Sequence, residues 1–298
     1  MTRTGYLAPI GLEERLKQEL PTIVSQYGRL LIAEGPPQSV HWAQNIWFDP
    51  QFIPFHSVSD AAKKLRSLKK LWSHYPYKNI RRGELISAQL PYFSPKPLSF
   101  PNVLPEAPLG SWTLIDSQTL LASPCCSSPF AHGEVHFQES RIPPGRAYLK
   151  LWEILLKMGR RPKAKEVCLD LGASPGSWTW ALQQMGAEVV AVDRALLSPS
   201  LAQLPNTAFL KKDAFSLFPG DLHLPRLDWV FCDVVCAPQK LFDWVQRWLG
   251  EKVHFVCTLK FQGNGGTEII REFEKIEGGR LVHLFHNKHE LTWYKLSS

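Results

Sequence analysis

The sequence of 298 residues has few of the features that mark secreted, membrane or metal-binding proteins. It holds six cysteines, and neither Cys125 with Cys126 nor Cys232 with Cys236 has the spacing and the histidines of a zinc site. No apolar run reaches the length of a membrane span, and no signal-peptide pattern opens the chain. These absences argue against a disulfide-stapled, metal-dependent or membrane-spanning protein. We therefore expect a cytoplasmic protein without a metal site.

A glycine-containing turn follows a buried strand near the middle of the chain. Val167 to Asp170 is a short apolar run typical of a buried parallel strand, and the residues from Ser177 onward favour a helix. Gly172 and Gly176 would let the backbone approach a ligand closely. The turn lacks the Gly-x-Gly-x-x-Gly pattern of pyrophosphate-binding folds. Its acid, Asp170, would repel a phosphate but attract the ammonium group of an amino acid.

Polar residues stand at the ends of the strands that this pattern predicts. Asp193 ends the second strand, 23 residues after Asp170, close to the spacing at which dinucleotide folds place an acid on ribose hydroxyls. Asp233 and Lys260 end two later apolar runs. Because ligands bind beyond the carboxyl ends of parallel strands, these residues predict one crevice in a doubly wound α/β sheet. The chain then closes with a predicted antiparallel hairpin, whose last strand begins at Glu290.

Five segments, taken in order along the chain, resemble the motifs of FtsJ-like ribose 2'-O-methyltransferases. They are Gly145-Arg-Ala-Tyr-Leu-Lys150, Asp170-Leu-Gly-Ala-Ser-Pro-Gly-Ser-Trp178, Phe231-Cys-Asp233, Thr258-Leu-Lys260 and His289-Glu290. The resemblance covers the chain from Arg141 onward. Within the family the sequence is most similar to the bacterial RlmM type, which methylates a cytidine ribose in 23S ribosomal RNA. The chain departs from the family at Ser177, where glycine is usual, and we expect a helix to tolerate the serine.

The resemblance implies S-adenosylmethionine as the cofactor. In this family the turn binds the methionine part of the cofactor, the acid at the second strand end binds the ribose, and Asp213 is placed to bond the adenine amino group. The implied cofactor-binding residues are Asp170, Gly172, Ala173, Ser174, Pro175, Gly176, Trp178, Asp193, Asp213 and Asp233. For Asp213 a helix cap or a solvated loop acid remains an alternative.

The resemblance also implies a catalytic tetrad. A ribose hydroxyl is a poor nucleophile and must lose its proton as the methyl group is transferred. A lysine accepts that proton only when neutral, so its pKa has to fall from about 10.4 toward about 7 through burial or a neighbouring like charge. By resemblance Lys260 is the base and Asp233 orients it. Lys150 and Glu290 position the hydroxyl and complete the charge network.

Two other functions remain open. One is a catalytically silent RNA-binding protein that retains the fold, with the four residues in ordinary ion pairs. The other is a methyltransferase for a base, a protein or a small molecule. Base and protein N-methyltransferases often carry Asn/Asp-Pro-Pro-Tyr after the fourth strand, whereas this chain has Asp233-Val-Val-Cys-Ala-Pro238.

One stretch of the N-terminal half is basic and holds no acid. The formal charge of the chain is +7, and the cations between residues 63 and 82 alternate with Trp72, His74, Tyr75 and Tyr77. Such a stretch suits a phosphate backbone and exposed bases, with a solvated basic helix face as the alternative. We expect the partner to be RNA, 23S ribosomal RNA or a precursor ribosomal particle. The predicted RNA-binding residues are Lys63, Lys64, Arg66, Lys69, Lys70, Arg81 and Arg82.

The sequence predicts three segments. Six prolines from Pro91 to Pro108 indicate a linker or an extended surface segment. We expect a small α+β, ferredoxin-like module at residues 1–60. A basic helix, the proline-rich linker and, by resemblance, a reduced THUMP-like region follow at 61–140. Residues 141–298 are expected to form a Rossmann-like methyltransferase sheet, mostly parallel, with an antiparallel C-terminal hairpin.

Overall fold

The computed structural model describes residues 2–93, 96–102, 109–202, 205–263 and 265–297. The chain divides into two compact units, Met1–His136 and Phe137–Ser298. The predicted borders at residues 60 and 140 stay predictions. Among the described residues, none of the helices has both the length and the apolar character that crossing a bilayer requires.

In the first unit, the described strands form two sheets. In chain order the elements are β1 (Arg3–Leu7), α1 (Glu13–Glu19), β2 (Ile23–Tyr27), β3 (Leu30–Glu34), β4 (Asn45–Phe48), β5 (Gln51–Pro54), α2 (Val58–Leu68), β6 (Trp72–His74), α3 (Ile80–Ser87), β7 (Gly110–Leu114), β8 (Thr119–Ser123) and β9 (Cys125–Cys126). One sheet has the order β2-β3-β1-β4-β9 and the other β5-β8-β7-β6. The second sheet therefore joins strands from both sides of residue 60. Of the proline-rich segment, residues 94–95 and 103–108 lie outside the described residues.

The second unit is built on one seven-stranded sheet among its described residues. Its elements are α4 (Tyr148–Met158), β10 (Val167–Leu171), α5 (Ser177–Gln184), β11 (Glu188–Asp193), α6 (Pro199–Ala202), β12 (Thr207–Lys211), β13 (Trp229–Cys232), α7 (Pro238–Trp248), β14 (His254–Lys260), α8 (Thr267–Glu274), β15 (Gly279–Val282) and β16 (Glu290–Lys295). The strand order is β12-β11-β10-β13-β14-β16-β15. The strands from β12 to β14 run parallel, and β16 is antiparallel to both of its neighbours. The predicted mostly parallel sheet with an antiparallel C-terminal hairpin is confirmed.

The burial of β10 and β13 explains why these strands could be predicted from the sequence. Every residue of β10 and of β13 is buried, as expected where helices cover both faces of a parallel sheet. The strand order reverses between β10, which continues to β11, and β13 on its other side. At such a switch point a crevice opens beyond the carboxyl ends of the strands. The crevice lies beside Asp170, the last but one residue of β10, and Asp233, which immediately follows β13.

Candidate active site

The turn after β10 packs closely against the residue that follows Asp233. Gly172 has a φ of +78°, and a side chain there would place its Cβ 2.9 Å from the backbone nitrogen of Val234. Only glycine tolerates both this positive φ and this close approach of the Val234 backbone. Asp193, at the end of β11, accepts hydrogen bonds from the backbone amides of Ser174 at 3.0 Å and Ala195 at 2.8 Å. This carboxylate thus holds the turn in place.

Asp170 presents a buried, unsatisfied oxygen beside the turn. Its Oδ2 accepts a 2.6 Å hydrogen bond from the Thr179 hydroxyl, whereas its Oδ1 has no hydrogen-bond partner among the described residues. Burial raises the pKa of Asp170 to about 7, and the nearby charges of Asp233 and Asp193 act in the same direction. A ligand ammonium would satisfy the free oxygen and favour the ionised form. The turn and Asp170 therefore fit the amino-acid end of S-adenosylmethionine.

Two other predicted cofactor residues make contacts of a different kind. Trp178 is buried, and its indole N–H donates to the Ala147 carbonyl at 2.9 Å. Asp213 accepts a 2.9 Å hydrogen bond from the Phe215 amide and caps a short 3-10 helix. This cap is the alternative that the sequence left open for Asp213. The adenine contact of Asp213 and the cofactor contact of Trp178 stay predictions.

Ser177 stands where the family usually has glycine. It is the first residue of α5, and its hydroxyl donates to the Gly145 carbonyl at 3.0 Å. The expectation that this serine is already helical is confirmed. Its hydroxyl also attaches the segment before α4 to the start of α5.

The four residues of the predicted tetrad lie together. The Lys150 ammonium is 3.0 Å from Asp233 Oδ1 and 2.7 Å from Glu290 Oε1. Lys260 Nζ is 2.9 Å from Asp233 Oδ1 and donates to the Asp233 carbonyl oxygen at 2.8 Å. Lys260 is the register partner of Glu290 across β14 and β16. Pairing of β14 with β16, together with the position of Lys150 on α4, thus brings together residues that are up to 140 positions apart in sequence.

The two lysines of this cluster differ in their surroundings. The side chain of Lys150 is 7% exposed and that of Lys260 is 23% exposed. Burial lowers the pKa of Lys150, but the Asp233 and Glu290 carboxylates outweigh burial and hold that pKa above its ordinary value. For Asp233, burial raises the pKa, and the ammonium groups of Lys150 and Lys260 outweigh it and lower the pKa. Lys150 is therefore a fixed cation, and Lys260 is the more accessible amine.

The predicted RNA-binding residues lie on or beside α2 and α3. Lys63, Arg66, Lys70 and Arg81 are exposed. The other three are partly buried. Lys64 donates to the Pro54 carbonyl at 2.6 Å, Arg82 lies over the Phe55 ring at 5.2 Å, and Lys69 is half-buried after the end of α2. Binding of RNA by this set stays a prediction.

The aromatic residues of the basic stretch are mostly part of the core. Trp72 and Tyr75 are buried, and the His74 ring stacks on Trp112 with centroids 4.3 Å apart. Because they are buried, Trp72 and Tyr75 are not exposed for stacking on RNA bases, and the binding of RNA by this stretch stays a prediction. Helix α2 ends at Leu68, and Trp72 lies in strand β6.

Sequence reasoning missed one acid next to the tetrad. Glu153 lies one turn after Lys150 on α4, and it is buried. Its carboxylate accepts hydrogen bonds from the backbone amides of Phe285 and His286 and contacts the His286 ring. The sequence signal that could have identified Glu153 is a single acid within the mostly apolar sequence of α4.

Comparisons with known proteins agree with the motifs. Residues 144–291 match the FtsJ-like methyltransferase family. A ribosomal RNA large subunit methyltransferase M from Halorhodospira halophila is 34% identical over 164 residues, which are 52% of this chain and 47% of that protein. A protein of the same description from Xylella fastidiosa is 28% identical over 301 residues, 94% of this chain and 78% of the relative. The matched part thus spans about half the length of the first relative.

Among solved structures, TrmN from Thermus thermophilus aligns with 100% of both chains at 11% identity, with a TM-score of 0.39. The family match covers α4, the turn after β10 and strands β13, β14 and the start of β16. These are the elements that carry Lys150, Asp170, Asp233, Lys260 and Glu290. Through its residues 144–291, the chain belongs to the FtsJ-like methyltransferase family, which uses S-adenosylmethionine.

Proposed function

We propose that this protein is an S-adenosylmethionine-dependent ribose 2'-O-methyltransferase of large-subunit ribosomal RNA. The observation that carries the proposal is the cluster in which Lys150 and Lys260 share one oxygen of Asp233 beside the turn. A silent RNA-binding protein would have no need of two buried or half-buried lysines on one carboxylate. The large-subunit ribosomal RNA methyltransferases among the relatives support the substrate class.

The residues of the site have different roles in the proposed reaction. The cofactor, when bound, supplies an electrophilic methyl group on its sulfonium. The turn and Asp170 bind the amino-acid end of the cofactor, because the buried Oδ1 of Asp170 can accept a hydrogen bond from its ammonium group. Lys260 takes the proton of the 2'-hydroxyl while the oxygen forms its bond to the methyl carbon and the carbon–sulfur bond breaks. The products are a 2'-O-methyl ribose, a neutral thioether and a protonated Lys260.

The fixed charge of Lys150 assigns the proton acceptor. Lys150 donates to both Asp233 and Glu290, and its raised pKa keeps it protonated at neutral pH. It can therefore donate to the ribose but does not accept a proton from it. Lys260 is the more exposed of the two amines, so the role of base falls to it.

Exposed cations of the first unit would supply the contacts to RNA. Lys63, Arg66, Lys70 and Arg81 can each neutralise a phosphate, since all four residues are exposed. Because Trp72 and Tyr75 are buried, we propose that this surface binds the RNA backbone rather than its bases. Such contacts position an RNA without reading its sequence.

The test is a transfer assay with tritium-labelled S-adenosylmethionine and unmodified 23S ribosomal RNA. Nuclease digestion and mass spectrometry then locate the added methyl group. A methylated ribose is the expected result. A methylated base would overturn the assignment of the acceptor atom. Cofactor binding by calorimetry without transfer to any RNA would favour the silent RNA-binding protein.

A further inference from the structure

A buried acid with three donors lies next to the tetrad. The side chain of Glu153 is 3% exposed. Its Oε1 accepts a 2.9 Å hydrogen bond from the Phe285 amide, and its Oε2 accepts one from the His286 amide at 3.1 Å. The His286 ring nitrogen Nδ1 is 2.8 Å from the same Oε2. All three donors belong to the connection between β15 and β16.

This connection is attached to α4 at two points. Glu153 binds its residues Phe285 and His286, and five residues after Phe285 the Glu290 carboxylate binds Lys150. Lys150 and Glu153 are three positions apart on the helix, so their side chains leave the same face. The chain from Phe285 to Glu290 thus contacts α4 at two positions, Glu153 and Lys150, which are one helical turn apart.

The same connection reaches Lys260. The His289 carbonyl accepts a 2.9 Å hydrogen bond from the amide of Phe261, the residue after Lys260. A displacement of the chain between Phe285 and Glu290 would therefore change the position of Glu290 and the pairing beside Lys260. These contacts lie on α4 and beside Lys260, so the effect of the connection falls on the acceptor side of the crevice.

We propose that Glu153 is a positioning residue for methyl transfer: by binding the connection before β16, it fixes Glu290 against Lys150. The inference rests on the proposed function, because the tetrad is what it positions. A carboxylate suits this role because it only accepts hydrogen bonds and meets only donors here. A glutamine would bring its own N–H groups against these donors and leave at least one of them unpaired.

The chain offers a matched control. Glu166 is also buried, and it also accepts from a backbone amide, Lys163 at 3.0 Å, and from a ring N–H, Trp229 at 2.8 Å. It lies just before β10, at the end of the strand opposite to Asp170. Glu166→Gln therefore perturbs a similar network away from the crevice.

The kinetic test compares Glu153→Gln with Glu166→Gln. We expect Glu153→Gln to lower kcat about tenfold to a hundredfold, as small misplacements of reacting groups do. Its KM for RNA and its Kd for S-adenosylmethionine should stay within about twofold of wild type, since only the transition state is affected. Glu166→Gln should lower the melting temperature but leave kcat within about twofold. Equal kcat values for the two variants would overturn the proposal.

A second measurement does not depend on activity. The Lys150 amine, followed by NMR of its Cε, should titrate at lower pH in Glu153→Gln than in wild type, because Glu290 helps to raise its pKa. An unchanged titration would overturn the proposal even if the rate fell. If wild-type protein methylates no RNA, the proposed function fails, while this titration still decides the role of Glu153.

A milder variant covers the case in which Glu153→Gln does not fold. His286→Ala removes the ring contact and keeps both backbone amide bonds to Glu153. We expect kcat to fall about threefold with cofactor affinity unchanged, and the Lys150 titration to shift in the same direction. No change in either measurement would contradict the proposal.

Discussion

At the scale of single residues, the two lysines of the cluster differ in their partners and in their exposure. Both contact Asp233 Oδ1. Lys150 also binds Glu290 and is nearly inaccessible, whereas Lys260 is more exposed and contacts the side chain and the carbonyl oxygen of Asp233. Lys260 is therefore the more accessible of the two amines, which is why we propose it as the proton acceptor and Lys150 as a donor.

Replacement of Lys260 by alanine tests this difference. We expect Lys260→Ala to lower kcat by about a hundredfold to ten-thousandfold, the range that a general base contributes. The Kd for S-adenosylmethionine, measured by calorimetry, should stay within about threefold of wild type, because the lysine acts on the nucleophile. Lys275→Ala, at the exposed residue that follows α8, is the control. A loss of cofactor affinity equal to the loss of rate would contradict the assignment.

The raised pKa of Asp170 predicts how stability varies with pH. Its pKa is about 7 in the folded protein against 3.8 ordinarily, so the folded state holds the proton more tightly than the unfolded state. The contribution is complete below about pH 4 and is lost as pH rises through about 7.

Asp170→Asn removes this titration. We expect the free energy of unfolding of the ligand-free wild type, relative to Asp170→Asn, to decrease between about pH 4 and about pH 8, by an amount on the order of a few kcal/mol. Urea titrations across this range check the expectation. Parallel pH profiles of the two proteins would contradict it. Cofactor affinity should fall in the variant, because an amide does not neutralise an ammonium group.

The tetrad could be predicted residue by residue, whereas Glu153 could not. Lys150, Asp233, Lys260 and Glu290 each lie in a short motif, so their types and order were visible. Glu153 acquires its role only from the backbone amides of Phe285 and His286. The acid itself is visible within α4, but no residue type in the sequence indicates its distant backbone partners.

At the scale of elements, two hydrogen bonds attach the start of α4 to the start of α5. Ser177 donates to the Gly145 carbonyl and Trp178 to the Ala147 carbonyl. The Trp178 ring also lies 5.7 Å from the Lys150 ammonium. The helix that begins at the cofactor turn therefore supports the helix that carries Lys150.

Substitutions of Ser177 measure one of these attachments. We expect Ser177→Ala to lower the free energy of unfolding by about 1 kcal/mol, the usual contribution of one hydrogen bond. Ser177→Gly, the residue common in the family, should cost about 0.5–1 kcal/mol more because glycine loses more backbone entropy. Urea unfolding provides the measurement, with Ser216→Ala, an exposed local bond, as the control. Equal stability of Ser177→Ala and wild type would show that the attachment contributes nothing.

The strands of the second unit could be predicted more closely than those of the first. β10, β13 and β14 are buried on both faces and therefore read as continuous apolar runs. β6 is three residues long and pairs with β7, whose residues lie 38 positions later. A local pattern cannot show a partner so distant, so strand β6 could not be predicted from the sequence.

At the scale of the whole molecule, charge on the first unit should affect RNA binding separately from catalysis. Replacement of Lys63, Lys69 and Lys70 by glutamine should weaken RNA binding and reduce the slope of log Kd against log salt by about one for each lost phosphate contact. Filter binding at several salt concentrations checks this. The control replaces the exposed Lys163, Lys252 and Lys275 by glutamine and therefore has the same net charge as the first variant. An unchanged slope in the first variant would remove this surface from the RNA-binding site.

The position of β16 has a consequence for the synthesis of the protein. β16 lies between β14 and β15, although it follows both in sequence. A nascent chain that has left the ribosome as far as Val282 already contains both flanking strands, but not the strand that separates them or the acid that begins it. Lys150 then lacks one of its two carboxylate partners. If the protein has the function proposed above, a partial chain that ends before Glu290 lacks one acid of the cluster, and we expect methyl transfer to begin only after translation has passed the residues of β16.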